Sequence, residues 1–226
     1  MDFKGKKIFV TGGSSGIGEA TLIALKKAGA KLAFCGLEDD LVERVSIRLD
    51  VPGIAVDLSN AKGVENAFDF AIKALGGVDV LINNAGKALA KPIDELSRSD
   101  FEYMFALNAI APAELVKKAL PYFKNQDYGD VVNVGATGGA YGFKTGTAYG
   151  ASKAALASVS KCLTAELREF NIRVCHIDPS RCDDDSQVSG PDKKLTSADV
   201  AQMIISMLEL NRNAFVPQMS VWATNP

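Results

Sequence analysis

The stretch KIFVTGGSSGIGEATLIALKKAG, residues 7–29, decides the fold. Its first five residues, Lys7 to Thr11, form a short apolar run suited to a buried strand, and the segment from Gly18 repeats its apolar residues at helical spacing. Between them TGGSSGIG, Thr11 to Gly18, is a glycine-rich turn. Gly12, Gly16 and Gly18 allow a tight turn and a close backbone approach, while free amides at the helix start suit a pyrophosphate. The spacing is G-x-x-x-G-x-G, not G-x-G-x-x-G, and three glycines would also serve an ordinary turn. It is the order strand, turn, helix that points to a dinucleotide site.

The same rhythm continues along the chain. KIFVT, KLAFCG, GIAVDL, VDVLINN, GDVVNVG, IRVCHID and AFVPQMSVW alternate with helical-looking stretches. The runs are continuous rather than alternating, as expected of parallel strands covered on both faces. The expected fold is therefore α/β: a single domain over residues 1–226, with a doubly wound, Rossmann-type parallel sheet of about seven strands and helices on both faces. A chain of 226 residues with 47% hydrophobic content can bury one large core.

Charge and cysteine usage exclude several classes of function. Lys plus Arg is 25 and Asp plus Glu 27, a net charge of -2, so neither a nucleic acid nor a membrane surface is an expected partner. Cys35, Cys162, Cys175 and Cys182 show no C-x-x-C spacing, and no metal site is expected. No signal-peptide pattern precedes Lys7, and no apolar run approaches the roughly 18 residues of a spanning helix, which makes a soluble, cytoplasmic protein the expectation. The polar, acidic segment Arg181 to Lys194 reads as a loop over a site or as a solvated connection.

Asn133 to Ala155, NVGATGGAYGFKTGTAYGASKAA, carries the chemistry. Tyr149 and Lys153 are four residues apart before an alanine-rich run, so both lie on one helical face. A phenol of ordinary pKa about 10 needs a nearby cation to work near neutrality, and Lys153 supplies one. Tyr149 would then protonate a carbonyl oxygen as hydride arrives, and accept the proton in the reverse direction.

TGGSSGIG, Asp57, NNAG at Asn83 to Gly86, Asn108 and Tyr149-x-x-x-Lys153 stand in the order seen in short-chain dehydrogenases/reductases, and the sequence resembles that family along nearly its whole length. The resemblance implies an NAD(P)(H) cofactor and hydride transfer between an alcohol and a ketone or aldehyde. It implies that Gly12, Ser14, Gly16, Ile17 and Gly18 hold the phosphates, that Asp57 and Leu58 contact the adenine, and that Asn84, Ala85 and Gly86 line the ribose and nicotinamide side. Tyr149 and Lys153 would be catalytic and also touch the cofactor, Lys153 through the ribose hydroxyls. Asn108 resembles the family's helix-interrupting asparagine, which orders a relay water. A homodimer or homotetramer built on Ala109 to Leu120 and Ala148 to Leu167 is implied as well.

The pattern departs from the family at three places. Aligned on Tyr149, the serine that hydrogen-bonds the substrate oxygen is replaced by Ala136. Loss of such a donor costs about 10² to 10³ in rate, or roughly 3 to 4 kcal/mol. Thr137 next door could supply the hydroxyl if the backbone is irregular there; on a regular strand it would face the other way. Otherwise the chain would be a cofactor-binding protein with impaired catalysis, serving as a sensor or scaffold. Second, Cys35-Gly36-Leu37-Glu38 holds neither the usual acid for a ribose diol nor an arginine for a 2′-phosphate, and Ser15 in the cradle is neutral, which leaves NAD against NADP open. Third, Pro179, placed beside the nicotinamide carboxamide, is followed by Ser180 where relatives carry Gly. The short loop there suits an open site, for a bulky or carrier-bound substrate, and the expected partner is a small-molecule or carrier-bound carbonyl or alcohol.

Overall fold

The apolar runs marked out by the sequence become seven strands in a computed structural model, which describes residues 2–182 and 195–224. They are β1 (Lys7–Thr11), β2 (Lys31–Gly36), β3 (Gly53–Ala55), β4 (Val80–Asn83), β5 (Gly129–Val134), β6 (Ile172–Pro179) and β7 (Gln218–Val221). All pair in parallel, in the order β3-β2-β1-β4-β5-β6-β7. Every residue of β4, β5 and β6 is buried, which explains why these runs show no polar alternation.

Successive residues of a strand face opposite sides, so each run feeds two cores. Ile8, Val10, Val132, Val134, Cys175 and Ile177 pack beneath α1 (Gly16–Lys27), α2 (Asp39–Leu49) and α8 (Ser197–Glu209). Phe9, Val131 and Val174 pack on the other side with α3 (Ala61–Leu75), α5 (Ala111–Asn125) and the end of α7 (Thr147–Leu167) at Leu167. The remaining helices, α4 (Arg98–Phe105) and the short α6 (Thr137–Tyr141), belong to the connections that follow β4 and β5.

Two strands are shorter than their apolar runs. GIAVDL pairs only over Gly53–Ala55, because Asp57 Oδ1 accepts the Ser59 amide at 2.8 Å and the Asn60 side chain accepts the Gly63 amide at 2.9 Å, bending the chain and capping α3. AFVPQMSVW pairs only over Gln218–Val221, after Pro217, which has no amide to donate. Most of the expected loop Arg181 to Lys194, including Asp183 to Asp185, lies outside the described residues.

Strand order reverses between β1 and β4, and the crevice beyond their carboxyl ends is the place where such sheets bind ligands. No described helix is long and apolar enough to cross a membrane.

Candidate active site

At the end of β1 the chain makes a turn that only small residues permit. Gly12 has φ +64°, and a Cβ on it would sit 2.8 Å from Ala85 Cα. The opposite wall is tied to the turn: Asn84 Nδ2 donates to the Thr11 and Gly12 carbonyls at 3.0 Å each, and Thr11 Oγ1 accepts the amides of Asn84 at 3.0 Å and Ala85 at 2.9 Å. Ser15 at the start of α1 makes no side-chain cap, so the first-turn amides are left to an external anion.

These groups border a cavity of about 440 Å³ lined by Gly12, Ser14, Ser15, Gly16, Ile17, Asp57, Leu58, Asn84, Ala85 and Gly86. That volume is ordinary for a cofactor site. Eleven of the fourteen expected cofactor residues were cradle, adenine or ribose positions, and one of these, Gly18, does not line the cavity. A Cβ there would run into the Gly12 carbonyl and lie 2.6 Å from Asn84 Nδ2, so Gly18 lets helix and turn approach closely instead of touching the cavity. The cavity also takes in Leu41, Val56, Lys87, Tyr103 and Leu107, which no motif had marked. Tyr103 and Lys87 come together from α4 and the loop after β4, with the Lys87 ammonium 5.9 Å from the ring centre, a pairing visible only in three dimensions.

Tyr149, Lys153, Asn108, Thr137 and Pro179 do not line that cavity, but Asn108 and Lys153 adjoin it through Gly86. A Cβ on Gly86 would be 2.9 Å from Asn108 Oδ1 and 3.2 Å from Lys153 Nζ. Asn108 lies fully buried in a π-helical bulge, Ala106–Ile110, between α4 and α5. Its Nδ2 donates to the Lys87 carbonyl at 3.1 Å and to Ser152 Oγ at 2.9 Å, its Oδ1 accepts the Lys87 amide at 3.1 Å, and Ser152 donates to the Tyr149 carbonyl at 2.7 Å. Asn108 therefore clamps the loop after β4 to the first turns of α7.

Lys153 is 4% exposed and donates to the Val134 carbonyl at 2.8 Å. Burial pulls its ammonium down to about 8, with Asp178 opposing. The expectation that Lys153 would draw the Tyr149 phenol downward is not met. Burial raises the phenol first, and Cys182 and Asp178 push the same way. Phe143 packs edge-on against the Tyr149 ring at 6.1 Å.

Thr137 is not on a strand. Strand β5 ends at Val134, Ala136 is extended, and Thr137 opens α6, so strand alternation no longer dictates which way its buried side chain faces. His176 is buried with its Nε2 2.9 Å from Asp178 Oδ1. Sequence reasoning passed over Asp178, although it stands directly before Pro179 at the end of β6.

Comparison with known proteins places this geometry among relatives. A family model described as short chain dehydrogenase matches residues 6–194. The NADP-dependent 3-hydroxy acid dehydrogenase of Schizosaccharomyces pombe is 30% identical across 98% of this chain and 93% of its own. An uncharacterized oxidoreductase of Staphylococcus epidermidis is 26% identical across 96% of this chain and 97% of its own. Among solved structures, a blue fluorescent protein from a metagenomic library, in complex with NADPH, superposes with a TM-score of 0.86 at 27% identity, covering 98% of both chains.

Proposed function

The chain belongs to the short-chain dehydrogenase family and is an NAD(P)-dependent oxidoreductase, and from that premise we propose that Tyr149 is the acid and base for hydride transfer between the nicotinamide and a carbonyl or secondary alcohol. The observation that carries the assignment is Gly86, which borders the nucleotide cavity on one side and abuts Asn108 and Lys153 on the other. A bound nicotinamide cofactor supplies or removes the hydride. Gly12, Ser14, Ser15, Gly16 and Ile17 would hold its phosphates, Asp57 and Leu58 its adenine, and Asn84, Ala85 and Gly86 the ribose side; the uncapped first turn of α1 and the close approach at Gly12 fit that group.

In reduction, the Tyr149 phenol gives its proton to the carbonyl oxygen, and its raised affinity for protons keeps it loaded as an acid near neutral pH. In oxidation Tyr149 must lose that proton, which the Lys153 ammonium favours once it turns toward the ribose and phenol. Asn108 keeps the Lys87 loop and the start of α7 in register, so that donor and cavity stay aligned. Thr137 takes over the role of the missing serine at Ala136, supported by the break in strand geometry before it. Residues 1–226 form one domain, and the chain assembles as a homodimer or homotetramer through α5 and α7; a monomeric mass by light scattering would contradict the last point.

The S. pombe relative is named for 3-hydroxy acids, which makes these, and the corresponding carbonyl acids, the first small substrates to try. Titration with NADH and NADPH, followed by reduced-nicotinamide fluorescence, should show binding, and a carbonyl panel should then oxidise the preferred cofactor. Tyr149→Phe should bind nucleotide normally and lose about 10² to 10⁴ in rate. Full activity in that variant would overturn the assignment.

A further inference from the structure

Among the described residues, Asp178 is the buried carboxylate at the catalytic end of the sheet, 2% exposed, whereas buried Asp79 and Asp130 lie at the opposite end. Its Oδ1 accepts the Ala136 amide at 3.0 Å and faces His176 Nε2 at 2.9 Å, while Oδ2 accepts Gln218 Nε2 at 3.0 Å. We propose that Asp178 is a positioning residue for catalysis: it fixes the Ala136 amide at the turn into α6 and is the standing counter-charge of Lys153. The inference rests on the assignment of Tyr149 and Lys153 given above.

The local packing is built around this carboxylate. Gly135 leaves it room, since a Cβ there would strike both the Asp178 carboxylate and the His176 ring. His176 is braced in turn, with Nδ1 3.1 Å from Ser160 Oγ, which accepts Asn133 Nδ2 at 2.9 Å. Asp178 is thus held from β5, β6 and β7, with α7 supporting through Ser160. Although burial alone would raise its carboxyl, the donors from His176, Gln218 and Ala136 hold it below the ordinary range, so it is ionised at neutral pH.

Asp178 and Lys153 also share a second cavity of about 220 Å³, apart from the nucleotide cavity, whose other polar lining is Ser158, Lys161 and Gln218. Among the described residues, the charged and titratable groups around Lys153 are few. Tyr149 and Lys161 come from its own helix, Asp178 and His176 from β6, and Cys182 from the chain just beyond. From β5 it meets the Val134 carbonyl, from the bulge after α4 the neutral Asn108, and from α6 Gly139. Among the described residues, Asp178 is the carboxylate that offsets the loss of water around the Lys153 ammonium.

The test is the pH profile of carbonyl reduction, which requires a protonated Lys153 and falls as that group loses its proton. Asp178→Asn keeps an oxygen for the Ala136 amide but removes the charge. Its alkaline limb in kcat/KM should move down by about one pH unit, the scale of an adjacent charge. At a pH below the limb, where Lys153 is protonated in both proteins, nucleotide affinity should stay unchanged, because Asp178 itself does not line that cavity. Gln218→Lys, at an exposed site, sets a cation against the same carboxylate and should shift the limb in the same direction even if the first variant folds poorly. A lower rate with the limb unmoved in a folded variant would make Asp178 merely structural and overturn the inference while Tyr149→Phe remains inactive. Activity surviving Tyr149→Phe would take down both the inference and the assignment beneath it.

Discussion

Replacing Gly86 by Ala adds one methyl group at the junction of cavity and catalytic end, and its effect can be worked from the surrounding atoms. Gly86 has no left-handed backbone requirement, so the cost comes from contact alone. The new Cβ would lie 2.9 Å from Asn108 Oδ1 and 3.2 Å from Lys153 Nζ. Against an ordinary contact of about 3.4 Å, Asn108 must yield by about half an ångström and Lys153 by less. Lys153 is a flexible chain end, but Asn108 Oδ1 is held by the Lys87 amide, and its Nδ2 ties Lys87 and Ser152. Overpacking of this kind costs about 1–3 kcal/mol, which should appear as a Tm several degrees lower. An ångström-scale misplacement of reacting groups costs about 10²-fold in rate, so half of that displacement should lower kcat/KM by about 10-fold or more. Steady-state kinetics with the preferred cofactor, paired with a fluorescence titration and a melt, would measure all three quantities. Wild-type kinetics and wild-type Tm together in Gly86→Ala would refute the idea that Gly86 joins the two halves of the site.

Three further outcomes follow from the same geometry. If Thr137 replaces the missing serine, Thr137→Val should cost about 10² to 10³ in kcat, and adding Ala136→Ser should recover much of it; an unaffected single variant would remove Thr137 from the mechanism. Lys153 has a folded pKa of about 8, below its ordinary value of 10.5, so the unfolded chain binds more protons between those values and stability should rise with pH across that window. Lys153→Met should then be inactive yet melt higher at pH 7, by on the order of 1–3 kcal/mol, with that pH dependence gone; a variant that melts lower would contradict this. At the other end of the sheet Asp130, 1% exposed, receives Arg173 Nε at 2.5 Å and Arg212 Nη1 at 2.7 Å. Asp130→Asn strips the counter-charge from a buried arginine and should cost about 3–5 kcal/mol in chemical denaturation without changing the KM for nucleotide.

Much of this protein was set by local sequence. Continuous apolar runs separated by helical segments are enough to demand a covered parallel sheet, because such strands have no polar face to offer water. TGGSSGIG after KIFVT marked the tight turn at the end of β1, since glycine favours φ +64° and a Cβ at Gly12 or Gly18 would collide with neighbouring backbone. Tyr149 and Lys153 could be paired from their spacing alone, as a helix sets i and i+4 on one face. What the spacing could not carry was their electrostatics. Proton affinity depends on burial and on charges from other strands, so only the folded chain shows Lys153 turned to the Val134 carbonyl and both groups shifted by loss of water. Asp178 and His176 were illegible for the same reason: two residues apart on β6, they acquire meaning from Gly135 and Ala136 on β5 and Gln218 on β7, neighbours supplied by strand pairing. Periodicity and backbone sterics are properties of a segment and can be read along the chain, whereas a charge's environment belongs to the whole sheet and is decided only when distant strands meet.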